Sequence, residues 1–299
     1  MATFAHDMPW GAQIEDGCVR FRLWAPRQHA PQLILESEGG ERNFSMQECG
    51  GGWFELRSAA ARAGSRYCYA LDEGLRVPDP ASRFQADDVH GASMVVDPRA
   101  HEWREPPWRG RPWRETVLYE AQVGAFGASG DYDGLRRRLD TLVDLGITAL
   151  ELMPIAHFEG RRGWGYDGVL LFAPQPAYGS VTQLKRLVDA AHERELMMFL
   201  DVVYNHFGPS GNYLGHYAPE FFTDRYCTPW GEAIDFSRRE VRDFYLQNAL
   251  YWLEEYRFDG LRLDAVDHIH DASAKHILVE LAETVRERIR DREVHLVLE

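Results

Sequence analysis

Residues 116–299 alternate continuous apolar runs with segments of helical pattern, and this alternation constrains the fold more than any other feature of the chain. The apolar runs are, in order, TVLYEAQVG, ITALELMP, LMMFLDVV, DGLRLDA and VHLVLE. Strands buried on both faces of a parallel sheet read as continuous apolar runs, and helices supply the crossovers that parallel pairing needs. The sequence therefore predicts a parallel α/β fold, and the long loops after the strands favour a TIM-type (β/α)8 barrel.

The segments between the runs predict helices near 134–146, 181–194, 238–257 and 274–291. In the first of them the residues expected to share one face are Leu135, Leu139, Leu142 and Val143, and Gly146 is expected to end the helix. Five strands are counted from the sequence, whereas a TIM-type barrel has eight. We therefore expect residues 116–299 to form the first part of such a barrel, ending after strand five.

Residues 1–98 have a different sequence pattern, in which apolar and polar residues alternate. The stretches CVRFRLWAP, PQLILES, WFELRS and SRYCYALD follow the period of two that a half-buried strand requires, and Gly-rich turns separate them. Short strands at this spacing predict an all-β, immunoglobulin-like sandwich domain. Residues 99–115, rich in Pro, Arg and Trp, predict a linker between this domain and the barrel.

The net charge of −14 argues against a nucleic-acid or anionic-membrane partner, because both bind basic surfaces. The sequence has no run of about 18 apolar residues, and its start lacks the basic and apolar regions of a signal peptide. The cysteines, which lack metal-ligand spacing, are Cys18, Cys49, Cys68 and Cys227. We expect a cytoplasmic protein that acts on a neutral substrate without a metal or another cofactor.

Polar residues are concentrated where the predicted strands end, which is where catalytic residues lie in β/α barrels. The residues at or after the ends of strands three, four and five are Asp201, Asn205, His206, Arg262, Asp264 and Glu299. Arg262 and Asp264 are two residues apart in one strand and therefore point to the same side. The loop after strand two adds the sequence RGWGYDG, residues 162–168.

Asp264 and Glu299 end neighbouring predicted strands. Because adjacent strands lie about 4.8 Å apart, the two carboxyl groups can stand about 5–5.5 Å apart, the separation used in retaining glycoside hydrolysis. Arg262 beside Asp264 favours a charged nucleophile, and the apolar run before Glu299 favours a protonated acid. Considered alone, the Arg262–Asp264 pair fits a structural ion pair as well as a catalytic one. Asp201 and His206, each considered alone, likewise fit a structural role as well as a functional one.

The ordered motifs DVVYNH, GLRLDAV and the strand ending in Glu299 resemble those of the α-amylase superfamily of glycoside hydrolases. The resemblance implies that Asp264 is the nucleophile, Glu299 the general acid/base and Arg262 the partner of the nucleophile. It also implies that Tyr166 stacks on the sugar in the −1 subsite. The candidate substrate-binding residues are Trp164, Tyr166, Asp167, Asp201, Asn205, His206 and His268.

Within the superfamily, the stretches at 79–98, 119–126, 162–169, 201–214 and 222–236 are similar to those of the malto-oligosyltrehalose trehalohydrolases. The resemblance implies cleavage of the α-1,4 bond next to a terminal trehalose unit, with release of trehalose and no cofactor. It further implies that residues 1–98 are carbohydrate-binding-module-like. A 1,4-α-glucan branching enzyme and a non-catalytic α-glucan-binding protein remain alternatives.

The chain departs from this family in what it lacks after Glu299. Barrel strands six to eight, the third carboxylate of the superfamily beyond strand seven and the C-terminal β-domain have no counterpart in the sequence. An open sheet exposes the edges that a closed barrel pairs. We therefore expect the 299-residue polypeptide to have little or no hydrolase activity by itself.

Overall fold

The computed structural model describes residues 2–37, 39–104 and 107–299. The strands of the N-terminal part are β1 (Gly11–Glu15), β2 (Cys18–Trp24), β3 (Gln32–Ser37), β4 (Gly40–Ser45), β5 (Gln47–Gly50), β6 (Trp53–Ser58), β7 (Arg66–Ala70), β8 (Arg76–Val77) and β9 (Ser93–Met94). They form two antiparallel sheets, with the orders β1-β2-β6-β5 and β4-β3-β7-β8, and β9 pairs with β7. The expected linker at 99–115 includes residues 105 and 106, which lie outside the described residues.

The two N-terminal sheets bury the alternating apolar residues predicted from the sequence. On β2, Val19, Phe21 and Leu23 are buried with at most 1% of their surface exposed. Phe21 meets Tyr67 of β7 edge to face, with ring centroids 4.8 Å apart, so the core joins one sheet to the other. The period of two in CVRFRLWAP thus places its apolar side chains between the sheets.

The second part of the chain alternates strands and helices. Its elements are β10 (Leu118–Ala121), α1 (Tyr132–Arg136), α2 (Leu139–Asp144), β11 (Ala149–Leu152), β12 (Ala156–His157), β13 (Leu170–Pro174), α3 (Val181–Glu193), β14 (Met197–Val202), α4 (Leu214–Tyr217), β15 (Phe222–Thr228), β16 (Gly231–Ile234), α5 (Arg239–Glu254), β17 (Gly260–Leu263), α6 (Ile277–Arg288) and β18 (His295–Leu298). Five parallel strands form one sheet in the order β10-β11-β14-β17-β18. Because the strands are parallel, their carboxyl ends share one edge of the sheet. No helix in the described ranges is both long and apolar enough to cross a bilayer.

Local signals explain where these elements begin. Helix α3 starts at a capping box, in which the Ser180 hydroxyl accepts from the Gln183 backbone while the Gln183 side chain accepts from the Ser180 backbone. All residues of β11 and β14 are buried, as their apolar runs predicted. The prediction of one helix over 134–146 was wrong. Arg137 and Arg138 lie between α1 and α2 and have ψ values of −12° and −1°, so the helix is interrupted there.

Two short hairpins interrupt the α/β alternation and were not predicted. Strands β12 and β13 pair antiparallel, and so do β15 and β16. The second hairpin contains the stretch FTDRYCTPWGEAIDF and follows α4, in the long segment between β14 and α5. It therefore extends from the same edge of the sheet at which β14 ends.

A buried group of charges connects the N-terminal sheets with the helices of the second part. Arg83 Nη2 lies 3.3 Å from one oxygen of Glu255, and Lys185 Nζ lies 3.4 Å from the other. Lys185 belongs to α3 and also donates to the carbonyl of Pro98 at 2.8 Å. The three side chains have exposed fractions of 3% or less, so this ion group lies inside the protein.

Replacing Gly260 by Ala will destabilise the sheet. A Cβ at Gly260, the first residue of β17, would lie 2.2 Å from Cε1 of Phe199, which is fully buried. Overpacking of this kind costs about 1–3 kcal/mol, and urea denaturation will measure it. Gly215→Ala is the matched control, since nothing lies within 4 Å of its Cβ. Equal stability of the two variants would contradict the expected clash.

Candidate active site

One arginine connects the carboxylates at the ends of three adjacent strands. Arg262 Nη1 donates to Asp201 Oδ2 at 2.8 Å and to Asp264 Oδ1 at 2.9 Å. Its Nη2 lies 2.8 Å from Glu299 Oε1. Burial opposes the charge on the guanidinium, but Asp201, Asp264 and Glu299 outweigh burial and raise the pKa of Arg262. The predicted acid and nucleophile are therefore held by the same side chain.

Asp264 receives hydrogen bonds on both carboxylate oxygens. Arg262 donates to Oδ1, and Asn205 Nδ2 lies 3.2 Å from Oδ2 and 2.8 Å from the Asp264 carbonyl oxygen. Asn205 comes from the loop after β14, and Arg262 from β17 itself. Two elements thus fix the orientation of this carboxylate, as a nucleophile requires.

The chain turns sharply directly after Asp264. Ala265 has a φ of 43°, in the left-handed region that non-glycine residues rarely adopt. In this conformation the Ala265 backbone N–H donates to Glu299 Oε2 at 3.0 Å. Such residues cost on the order of 1–3 kcal/mol and cluster at functional sites. The turn here connects the backbone after Asp264 to the second carboxylate.

Asp201 forms the floor of the site. Its side chain is buried, and Oδ2 accepts from Tyr166 Oη at 2.9 Å as well as from Arg262. Burial raises the pKa of Asp201 to about 7, although Arg262 and Tyr166 act in the opposite direction. Burial and the neighbouring Asp201 also raise the pKa of the Tyr166 hydroxyl. Tyr166, from the loop between β12 and β13, is thus anchored to the floor through its hydroxyl.

His206 closes one side of the site. It is 3% exposed, and its Nε2 lies 3.0 Å from the Tyr166 carbonyl oxygen while its Nδ1 contacts Asn205 Oδ1. Burial lowers the pKa of His206, and the Tyr166 carbonyl opposes this effect. The contacts connect the DVVYNH segment with the loop containing RGWGYDG, two stretches that the sequence analysis assigned to one site.

Comparisons with known proteins agree with this geometry. The profile of the α-amylase catalytic domain matches residues 81–220. A malto-oligosyltrehalose trehalohydrolase of Saccharolobus solfataricus is 42% identical over 281 residues, which are 93% of this chain and 49% of the relative. The Deinococcus radiodurans protein of the same name is 46% identical over 269 residues, 90% of this chain and 44% of the relative. Residues 81–220 thus resemble the α-amylase catalytic domain, and the chain is similar to these two trehalohydrolases over 93% and 90% of its length.

A solved structure shares the fold. A Salmonella typhimurium protein, described as a candidate α-amylase, is 47% identical and superposes with a TM-score of 0.93. The match covers 97% of this chain and 49% of that one. The parallel α/β part therefore has a TIM-barrel-type fold. The chain spans about half the length of the curated relatives it matches.

Trp230 lies at the candidate site, although it was not predicted from the sequence. It lies at the turn between β15 and β16, and its ring stacks on His206 with centroids 4.0 Å apart and planes 6° apart. The ring also meets His268 edge to face at 5.2 Å, which brings this predicted residue to the site. Trp230 remains 45% exposed, as an aromatic surface for a sugar would be. A Trp-Gly turn between two extended stretches was the signal available in the sequence.

Trp164 and Asp167 lie outside the hydrogen-bonded centre. Trp164 is 75% exposed and lines an adjoining cavity of about 1010 Å³, together with Gln122 and Tyr178. Asp167 is exposed, and its backbone packs on Gly208, where a Cβ would come within 2.0 Å of the Asp167 carbonyl oxygen. Gly208 therefore permits the β12–β13 loop and the loop after β14 to touch, while a substrate-binding role for Trp164 and Asp167 stays a prediction.

The environment of Glu299 differs from the prediction. An apolar setting was expected from the run VHLVL, but the Glu299 side chain is 55% exposed and paired with Arg262. The reason is the position of β18, which lies at one edge of the described sheet and pairs with β17. A run of apolar letters identifies a strand, but it does not identify the strand's neighbours.

Two further carboxylates beneath the site, those of Glu120 and Glu151, were not predicted from the sequence. Oxygens of Glu120, Glu151 and Asp201 lie within 4.8 Å of one another. Glu120 and Glu151 occupy paired positions on β10 and β11, inside stretches that read as apolar strands. The cluster offers three carboxylates, whereas Ca²⁺ takes roughly six to eight oxygen ligands. A glutamate at the same place in two consecutive apolar strands was the signal in the sequence.

Proposed function

We propose that the chain carries the nucleophile and the general acid/base of a retaining glycoside hydrolase. Its substrate is malto-oligosyltrehalose, and the α-1,4 bond next to the terminal trehalose unit is cleaved to release trehalose. The observation that carries the proposal is the contact of one guanidinium, that of Arg262, with Asp264 and Glu299 at the ends of adjacent strands. The relatives named malto-oligosyltrehalose trehalohydrolases support this substrate.

The proposed reaction has two displacement steps. Asp264 attacks the anomeric carbon while Glu299 protonates the departing oxygen of trehalose, and a covalent glycosyl–enzyme forms. Glu299 then takes a proton from water, whose oxygen attacks the same carbon and releases Asp264. In this scheme Asp201, His206 and Tyr166 bind the sugar beside the scissile bond, and Trp230 offers it an aromatic face.

The domain arrangement is part of the proposal. Residues 1–98 are an immunoglobulin-like, carbohydrate-binding-module-like sandwich, and 116–299 are the first five strands of an eight-stranded barrel in a cytoplasmic enzyme. The edge strands β10 and β18 support this assignment, because Tyr119 and Leu298 are exposed on them. Closing the barrel, and supplying the third carboxylate of the superfamily, would take further strands.

Release of trehalose tests the proposed function. The 299-residue chain and the same chain continued as far as its reading frame runs are each given maltotriosyl-trehalose, and free trehalose is followed over time. We expect the continued form to release trehalose and the 299-residue chain to release little or none, because a five-stranded site lacks the third carboxylate.

Three other outcomes would contradict the proposal. New α-1,6 branches on amylose, without free trehalose, would identify a branching enzyme. Binding of α-glucan without any product in either form, unchanged by Asp264→Ala, would identify a binding protein. A 299-residue chain that turns over as fast as the continued form would contradict the expected dependence on further strands.

A further inference from the structure

The floor of the site contains more carboxylates than the proposed reaction uses. Glu120, Glu151 and Asp201 come from the adjacent strands β10, β11 and β14, and each places an oxygen within 4.8 Å of the others. Glu151 is 4% exposed and Asp201 is 1% exposed. Neither Glu120 nor Glu151 has a role in the two displacement steps, so the reason for burying Glu151 has to be found in its surroundings.

Two oxygens of the cluster lack a hydrogen-bond partner among the described residues. They are Oε2 of Glu151 and Oδ1 of Asp201, and both are buried. A buried ionised carboxylate without a partner is costly, and the group takes up a proton instead. One proton between the two oxygens would give one of them a donor and the other an acceptor role.

We propose that Glu151 carries this proton and directs it to the free oxygen of Asp201, directly or through one water molecule. Glu151 is then a positioning residue that acts through Asp201. Because Oδ1 of Asp201 then accepts the proton of Glu151, Oδ2 of Asp201 remains available to accept from Arg262 and Tyr166. The orientation of Arg262, and through it of Asp264, depends on this arrangement.

The charges around Glu151 support the proposal. The groups that face it are Glu120 on β10, Asp201 on β14 and Arg262 on β17, with Tyr166 bonded to Asp201. Arg262 is already in contact with three carboxylates, Asp201, Asp264 and Glu299, so its charge is shared. Carboxylates therefore outnumber cations here, and like charges this close favour uptake of a proton.

The pKa directions agree with a shared proton. Burial, and then the neighbouring Glu120, raise the pKa of Glu151 to about 7, while Arg262 opposes them. Burial raises the pKa of Asp201 to about 7 as well. Both neighbouring acids therefore hold a proton more readily than an ordinary carboxyl group does.

Unfolding in urea at pH 5 and pH 8 tests the proposal in the 299-residue chain. The folded-state pKa of Glu151 lies above its ordinary value of 4.5, at about 7. Its stabilisation is therefore complete below pH 4.5 and is lost as the pH rises through about 7. We therefore expect the urea concentration at the unfolding midpoint of wild type to be lower at pH 8 than at pH 5.

The variant Glu151→Gln distinguishes between a protonated and an ionised side chain at Glu151 in wild type. An amide keeps a donor and an acceptor in place of a protonated carboxyl, so this variant is expected to fold and to show a smaller fall in midpoint than wild type. Glu151→Leu has no donor for Asp201 and is expected to be less stable than Glu151→Gln at pH 5. Glu73→Gln, at an exposed position in the N-terminal part, is the matched control and is expected to follow wild type.

Three results would overturn the proposal. Glu151→Gln as the least stable variant at both pH values would mean that the ionised carboxylate is needed. Glu151→Gln with the full pH dependence of wild type would mean that Glu151 does not hold the proton. Millimolar Ca²⁺ or Mg²⁺ that raises the wild-type midpoint at pH 8, but not that of Glu151→Gln, would identify a cation site. Substrate is absent from these measurements, so their outcome is independent of the proposed hydrolysis.

Discussion

Replacing Asp264 by Asn is expected to lower turnover of malto-oligosyltrehalose by more than about 10⁴-fold, the order of loss that follows removal of a nucleophile. The change is made in whichever form of the chain releases trehalose. An amide has no charge with which to attack the anomeric carbon, yet it has nearly the shape of the carboxylate and keeps an acceptor for Arg262. Steady-state trehalose release measures the loss, and circular dichroism shows whether the fold is retained.

The control for this prediction is Asp144→Asn, the same chemical change at an exposed position at the end of α2. Its turnover is expected to match wild type. A second measurement uses Asp264→Ala with added azide, which can enter the vacated space and attack the same carbon. A β-glycosyl azide would then form, because the displacement occurs once instead of twice. Asp264→Asn with a tenth or more of wild-type turnover would exclude Asp264 as the nucleophile.

Much of the site could be predicted because the spacing of its residues is tied to strand geometry. Arg262 and Asp264 are two residues apart, and a strand places such residues on one side. Asp201 pairs in register with Arg262, which brings two distant segments together as parallel pairing of the predicted strands requires. These relations depend on strand type and order, which the alternating apolar runs supply.

The remaining features depend on neighbours that a single stretch of sequence does not specify. The setting of Glu299 follows from the edge position of β18, and an edge strand reads like a central one. The sequence ALEL shows Glu151 only as one charged residue in an apolar strand, and it does not show that Glu120 and Asp201 lie beside it. Trp230 reaches His206 only because β15 and β16 form a hairpin. Each of these is a tertiary relation between separate segments.

The second large effect concerns the buried charges between the N-terminal sheets and the α/β part. Glu255→Leu is expected to reduce the free energy of unfolding by about 3–5 kcal/mol, the usual cost of removing one partner of a buried ion pair. Arg83 and Lys185 would remain buried beside the missing carboxylate, with exposed fractions of 3% and 2%. Backbone carbonyls of Ala12 and Pro98 still accept from them, which favours the lower end of this range. Urea denaturation measures the change.

Two further variants show whether charge imbalance is the cause. The triple change Arg83→Met, Lys185→Met and Glu255→Leu removes every charge of the group and is expected to be more stable than Glu255→Leu, since apolar replacements of a whole buried ion group are often neutral. Glu283→Leu on α6, which breaks an exposed pair with Lys275, is expected to change stability little. A triple variant less stable than Glu255→Leu would contradict the explanation.

The same buried group bears on how cooperatively the chain unfolds. Arg83 belongs to the segment between β8 and β9 of the N-terminal part, Lys185 to α3, and Glu255 follows α5 directly. Loss of Glu255 weakens the connection between the two parts more than it weakens either core. Wild type is therefore expected to unfold in one transition, and Glu255→Leu in two, with tryptophan fluorescence and far-ultraviolet circular dichroism no longer coincident. Coincident transitions in Glu255→Leu would show that apolar contacts alone couple the two parts.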